Sequence, residues 1–598
     1  MRVVTHANAV RAALEIVIAV LVTLGFIVLA LAGVPRLAFA DWPQSGRALV
    51  TAAGDQIGPA IAPDGAGGAI VAWHDRRTFP FNIDARHVLA TGALDPAWPI
   101  NGRALMTDAL IATIVPQGKE FPAIVSDGAG GAIVTWPDAR SSGNGLDIHA
   151  QHVLASGAVD ASWPVNSVTV CSATGDQIAP VIVSDGNRGA FIAWSDARTD
   201  PTSFDFDVFA QHVLASGVVD PAWPANGTLV SAAPKGQVGL AIVADGLGGI
   251  IVTWTDFRSG NPGSDIYAGH VFGTGVVDPA WPVNGLALCD AAGSQTAPRI
   301  VSDAAQGAIV AWTDTREGAN QIFAQRVSSA GVIVSGWPIN GRKVSIDGVD
   351  EVLPTLAADG AHGAIVAWGG GNTGHHNQRA HHLLASGLLD ASWPATGVAL
   401  SFDGSEQINQ VMASDGSGGA IVAWQQGGFD IFAQHVLASG ALDSAYPANG
   451  RAVVLLTHEE SEPDIVATGA GGAIVTWMDT RDGNTDIYAL QVLAAGNTVG
   501  IPPSTAPDVN FFPPRPNPAR GSMTLRYALP RQASVRLAIF DVTGRRVRDL
   551  TVGPKPQGEH AIDWDLRDQQ GQPVGVGIYF ARLEVERHTL IQRIGRLR

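Results

Sequence analysis

The chain has 598 residues, 46% of them apolar and 15% charged, with 70 Gly and 36 Pro. It is long enough for several domains and too apolar for a disordered polymer, and glycines and prolines in such number without a collagen period point to short strands joined by tight turns. The net charge of −17 is unevenly spread: from Arg515 onward fifteen Lys/Arg face eight Asp/Glu, a balance of +7, which leaves −24 for residues 1–514 and excludes a nucleic-acid partner, because phosphate binding needs a basic stripe.

The first 40 residues read as an export signal. Arg2 and Arg11 supply the basic region, an apolar run follows from about Ile16 to Val34, and Ala38-Phe39-Ala40 forms a small-x-small cleavage site before Asp41. The run is long for a signal, so an uncleaved membrane anchor is the alternative, since about 20 apolar residues span a bilayer. Either reading predicts a protein that is secreted or held at the outer cell surface, with membrane contact through this segment alone.

Residues 41–494 repeat one unit. DGAGGAIVAWHDRR, residues 64–77, returns in close copies whose closing tryptophans are Trp73, Trp136, Trp194, Trp254, Trp312, Trp368, Trp424 and Trp477. The steps between them are 63, 58, 60, 58, 56, 56 and 53 residues. Within a unit, QIAPVIVS, a turn at Asp185-Gly186 with Gly189, and AFIAWSDAR predict a hairpin, because the turn glycines supply the positive φ that tight connections require. Phe191–Trp194 is too apolar to alternate, so that strand is expected to be covered on both faces. DVFAQHVLA forms a third strand, and a short fourth is predicted to begin at Trp223-Pro224. Four strands per unit predict a propeller blade.

The Trp-Pro element recurs at Trp42, Trp98, Trp163, Trp223, Trp281, Trp337 and Trp393, with Tyr446-Pro447 as its eighth form. The first precedes the first repeat and none follows the last. DWPQSGRALV is therefore expected to supply the missing fourth strand of the final unit, closing a ring that leaves no open sheet edge. This offset is similar to the closure of WD-repeat propellers, although the GH and WD dipeptides of that family are absent. An all-β chain with an eight-bladed β-propeller follows; a linear β-solenoid is the structural alternative.

Six units carry Asp-x-Arg after the tryptophan: Asp75 and Arg77, Asp138 and Arg140, Asp196 and Arg198, Asp256 and Arg258, Asp314 and Arg316, Asp479 and Arg481. They are candidate ligand-binding residues on the face where the loops joining strands two and three lie. The competing reading is an ion pair that holds the loop, which repetition favours because a catalytic site is normally asymmetric. His87, His152, His212, His270, His382 and His435 recur on the third strand, far from the axis, where equivalent copies cannot converge on one metal ion. Pattern-breaking residues are few: His375 and His376, and Glu459 with Glu460, which lie on opposite faces of a strand.

No Gly-rich phosphate loop, HExxH, GxSxG or cysteine metal motif occurs, so no catalytic residue and no metal site is assigned. No cofactor is assigned either. Calcium stays open, because Asp147, Asp207, Asp265, Asp430 and Asp486, expected to be exposed at the start of the third strands, could bind it without any DxDxDG loop. Cys171 and Cys289 occupy equivalent positions two units apart, too distant for a disulfide, and read as small buried hydrophobes.

Residues 495–516 are Pro-rich and aperiodic, a stiff linker. From residue 517 the pattern becomes about seven short strands with turns at Thr543-Gly544 and Gln570-Gly571, which suits a small sandwich. Gly595 is expected to interrupt the last of them. Pro516-Asn517-Pro518, Asp541-Val542-Thr543-Gly544-Arg545, Trp564-Asp565, Gly577-Ile578-Tyr579-Phe580 and the basic end Arg593–Arg598 resemble the Ig-like domain of flagellar hook-capping proteins, and equally the C-terminal sorting domain of type IX secretion cargo. The resemblance implies a sorting motif of Pro516, Asn517, Pro518, Asp541, Gly544, Gly577 and Tyr579, with secretion machinery as the partner; a plain adhesive Ig-like module is the alternative. Taken together the sequence predicts a binding or scaffold protein for an extracellular glycan or protein, with a carbohydrate-active enzyme or a structural envelope component as rivals.

Overall fold

The computed structural model describes residues 42–43, 45–78, 81–106, 121–139, 145–200, 205–260, 263–345, 350–371, 377–402, 405–427, 430–454, 458–469, 471–493, 510–512, 514–515, 517–529, 532–542, 544–556, 558–585 and 588–597. The export segment and residues 494–509 lie outside them, while the end of the expected linker does not: Asn510–Phe511 is a strand paired with Ala528 and Tyr527. The described residues contain strands and no helix, and no helix is long and apolar enough to cross a membrane. The chain divides into two compact units between Gly500 and Ile501.

The first unit is a series of four-stranded antiparallel sheets. In a representative one, Gln177–Ser184 pairs with Ala190–Asp196, that with Asp207–Val213, and that with Thr228–Ser231. The second strand is buried at all seven positions, because stacked neighbours cover both of its faces and no residue can be left polar-out. Turn chemistry fixes the hairpin: Asp185 Oδ1 accepts from the amides of Asn187 at 2.6 Å and Gly189 at 2.9 Å. Gly189 cannot be replaced cheaply, since a Cβ there would stand 2.4 Å from the carbonyl oxygen of Val213.

The first strands carry a β-bulge that the apolar run in the sequence does not announce. Register slips between Ile178 and Val181, with Ala179 at φ 51°, and the same slip recurs between Ile57 and Ala60, Val238 and Ala241, Thr296 and Arg299, Val352 and Thr355, Ile408 and Val411, and Ser461 and Asp464. Each first strand packs beside the next, from Gln56–Pro63 through Ala123–Ser126 and onward to Glu460–Ala467, which returns to lie beside Gln56–Pro63. The arrangement is propeller-like, and the last sheet takes its outer strand from the start of the described chain: Arg47 pairs with Ala489 and Ala48 with Tyr488.

Trp-Pro does not open the fourth strand as the sequence predicts. Trp223-Pro224 sits in the turn before it, and the strand begins at Thr228, because the tryptophan is needed elsewhere. Its ring covers Gly275, and its indole Nε1 donates to the carbonyl of Gly273 in the following repeat at 2.9 Å. Trp98, Trp163, Trp281, Trp337 and Trp393 make the same reach to Ala155, Ala215, Ser329, Ala385 and Ala438, and the Tyr446 hydroxyl donates to Leu493. Each sheet is thus clasped to its successor by one aromatic side chain.

The second unit is a sandwich of two sheets. Asn510–Phe511, Met523–Leu529 and Gly558–Trp564 form one; Arg546–Lys555, Ala533–Asp541, Gly577–Val585 and His588–Arg596 form the other. Trp564, Tyr527, Leu525, Leu537, Ile539 and Leu583 fill the space between them. Gly595 does not interrupt the last strand: it pairs with Ile578, and its missing side chain admits Pro518, whose Cβ would lie 3.0 Å from a Cβ at that position.

Candidate functional site

The Asp-x-Arg residues lie where a second strand ends, and their polar atoms point inward. Asp196 is fully buried; its carboxylate accepts from the indole Nε1 of Trp194 at 2.7 Å and from Arg198 Nε at 2.9 Å and Nη2 at 2.6 Å. Arg198 then stacks over the ring of Phe209 on the third strand, 3.7 Å from its centre, and donates to the carbonyl of Asn226 ahead of the fourth. One ion pair therefore ties together strands two and three and the approach to strand four. Asp256 with Arg258, Asp314 with Arg316 and Asp479 with Arg481 repeat the tryptophan bond, the ion pair and the stacking over Tyr267, Phe323 and Tyr488. Asp75 binds Trp73 and Arg77, which also reaches Asp84. Asp138 accepts from Trp136 at 3.3 Å; its partner Arg140 lies outside the described residues.

The histidines are held by carboxylates on both sides. In His270, Nδ1 faces Asp278 at 2.8 Å and Nε2 faces Asp245 at 2.9 Å, with ring and carboxylates all buried. His87, His152, His212, His382 and His435 sit in the same way between Asp95 and Asp64, Asp160 and Asp127, Asp220 and Asp185, Asp390 and Asp359, and Asp443 and Asp415. Burial opposes charge on His87, but the bonds to Asp64 and Asp95 outweigh it and raise its pKa. Where histidine is replaced, Arg326 binds the corresponding Asp303 in one repeat, and Gln491 stands at the position in the last.

The third-strand aspartates proposed for calcium are not exposed: Asp147, Asp207, Asp265 and Asp486 are buried and Asp430 is partly so, because the neighbouring repeat covers the strand start. Among the described residues no three His, Cys, Asp or Glu side chains come together as a metal site. Cys171 and Cys289 are buried free thiols, pushed up to about 12 by burial, and each lies against the arginine of an Asp-x-Arg pair. His375 and His376 lie outside the described residues.

Sequence reading missed the charges on the first strands. The residue after each bulge is Ala60, Val181, Ala241, Arg299, Thr355, Val411 or Asp464. Two of these are charged, and both line a cavity of about 550 Å³ walled by Ile61, Ile124, Ile182 and Ile242. Asp464 Oδ2 accepts the Ile61 amide at 3.1 Å and Oδ1 its neighbour's at 2.9 Å, while burial raises its pKa to about 6. Glu460 stands where most other repeats have glutamine; both of its oxygens are buried without a partner, and burial followed by the charges of Asp479 and Asp430 raises it to about 8. Glu459 beside it is exposed.

In the second unit, Asn517 bridges the sheet end, its amide donating to Arg593 and its oxygen accepting from Gly595, both at 2.8 Å, with Pro518 packed on Gly595. Asp541 closes the turn at Gly544 by accepting from Arg545. Gly577 opens a strand, and Tyr579 on it donates to Gly575 and meets Trp564 edge-on. Pro516 lies outside the described residues.

These features define an all-β, propeller-like repeat protein with an Ig-like C-terminal domain. The family model for the FlgD Ig-like domain matches residues 518–588, so the chain carries that domain. A comparison with curated proteins finds no match. Solved structures similar to the chain are propeller-type glycan-active proteins. A PL25 ulvan lyase bound to -[GlcA(1-4)Rha3S]- is 10% identical, with a TM-score of 0.42 over 69% of this chain and 98% of its own. The Penicillium chrysogenum α-L-arabinanase complexed with arabinobiose is 11% identical, with 0.34 over 64% and 96%. The polysaccharide lyase Uly1 is 8% identical, with 0.35 over 64% and 90%.

Proposed function

We propose that the chain is an exported binding and scaffold protein, in which an eight-bladed propeller over residues 41–494 recognises an extracellular glycan or protein and the Ig-like domain over 517–598 serves secretion and surface attachment. The circuit of first strands, each beside the next and the last beside the first, supports the closed ring. The observation that carries the binding role is where the polar groups are used. The repeated Asp-x-Arg and His-Asp groups are satisfied within their own sheets, so they are fastenings, and the departures from the repeat that open on a cavity are two charges at the axis. Surface display rests on the export segment and on the tail's likeness to sorting domains.

Screening the purified protein on a glycan array and against a panel of chromogenic glycosides tests this reading. Saturable binding without turnover is the expected result; turnover abolished by one loop substitution would overturn it. The rival, a carbohydrate-active enzyme, draws on one observation: Asp464 is a cavity carboxyl held at about 6, within reach of general-acid work near neutral pH.

A further inference from the structure

Just past the bulge of its first strand, each of seven repeats has one equivalent residue, and Ala60, Val181, Ala241, Arg299 and Asp464 among them line the same cavity. Ala60, Val181, Ala241, Thr355 and Val411 are small or uncharged there, whereas Gln295–Ser302 presents Arg299. In a near-repetitive chain such a substitution is a local decision of that strand alone. Packing does not require it, because its equivalents close the same sheets with alanine or valine.

Arg299 is open to the water of the cavity and ringed by protein, an enclosure that lowers its pKa. Its one protein bond is from Nη1 to the carbonyl of the preceding Pro298 at 3.1 Å, and among the described residues no carboxylate pairs with it. The contrast with the other enclosed arginines is direct. Arg198, Arg258, Arg316, Arg326 and Arg481 each hold an aspartate, and the buried Arg86, which has no carboxylate partner among the described residues, donates Nη1 to the carbonyl of Leu49. Asp464, the other charge lining the cavity, is already engaged by two amides, that of Ile61 across the seam between last and first sheets and that of Ile465 on its own strand. Arg299 alone keeps a fork of donors free in a cavity whose 550 Å³ is of ligand size.

We propose that Arg299 is the recognition residue of an axial anion site, which takes a carboxylate or sulfate group, carried on a saccharide or free in solution, with the remainder of the ligand against the isoleucine walls. The inference rests on the binding role proposed above and deepens it. The acidic body, at −24 over residues 1–514, repels anions at long range, so retention of one requires a specific cation and the background is low.

The test is calorimetric titration of the full chain with galacturonate, galactose, sodium acetate and sodium sulfate, on wild type, R299Q and R299K. Galacturonate is expected to bind saturably and galactose at least tenfold more weakly. R299Q should lose at least tenfold in galacturonate affinity at an unchanged melting temperature, and R299K should keep part of it, since lysine retains the charge but not the planar fork. Acetate or sulfate matching galacturonate would place the affinity in the free anion and still support the site. Absence of anion binding by wild type, or equal binding by R299Q, would overturn it. A glycan-array ligand indifferent to R299Q would remove this inference and leave the binding role intact, whereas turnover of a glycan would remove that role and leave the anion site to the titration.

Discussion

Glu351 accepts a hydrogen bond from the indole Nε1 of Trp368 at 3.1 Å, filling from the first strand the place that six other repeats fill with an aspartate two residues after the tryptophan. In that repeat the aspartate position is Gly370, and in the next Gln426 Oε1 accepts from Trp424 at 3.1 Å. The acceptor is kept while its residue and its strand change, which marks the indole bond as the feature under constraint: a buried N–H left without a partner is costly.

Substitution should rank accordingly. Asp196→Ala strands both Trp194 and the half-buried Arg198 and is expected to cost about 3 kcal/mol, Glu351→Ala about 2 kcal/mol, and Glu351→Gln, which keeps an acceptor, under about 1 kcal/mol. Thermal melts of the three variants check the order.

Glu460→Gln should stabilise the protein, and more so at high pH. The folded protein holds Glu460 at about 8 against an ordinary 4.5, so wild type loses stability as pH rises from 4.5 to about 8. The variant restores the residue of other repeats and escapes that loss. A melting-temperature gain of a few degrees at pH 9, shrinking toward zero at pH 4.5, is the expected outcome.

The pH optimum of stability should fall near pH 4 to 5. Burial works against the charged forms of Asp64, Asp127, Asp185, Asp245 and Asp359, but their histidine and amide bonds hold them below 3.8, so this contribution is lost as pH falls under that value. His87 is raised above 6.5, and its contribution is complete below 6.5 and fades as pH rises through its folded value. Asp84 and Asp486, both near 7 through burial and neighbouring carboxylates, subtract further above pH 4. A melting-temperature profile highest at pH 8 or above would contradict this assignment.

Removing residues 42–50 should lower the melting temperature by more than about 10 °C. Arg47–Ala48 covers the outer edge of Asp486–Leu493, Leu49 donates to Ile487, and Trp42 packs on Gly92 of the first repeat, so the deletion opens an edge and a seam together.

The repeat, the buried second strand and the seven-stranded tail could be read from the sequence because each depends on local periodicity and turn glycines. The Asp-x-Arg pairs were visible as residues but not as contacts, since pairing to Trp194 and stacking on Phe209 depend on strand register. Arg299 and Asp464 were hidden for a more specific reason. A bulge at Ala297 and Glu462 moves every later residue of the strand to the opposite face, so a plain alternation cannot say which side chains meet the axis. Aligning QTAPRIVS and ESEPDIVA with QIAPVIVS would have exposed both at the position of Val181.

The most direct test of the account is to recover a bound ligand intact. Immobilised full-length protein would be loaded with a polysaccharide identified on the array, incubated, and eluted, and the chain length of the eluate compared with the input by size-exclusion chromatography. A recognition surface returns the polymer at unchanged length; a shortened polymer would contradict the binding role and favour the carbohydrate-active enzyme.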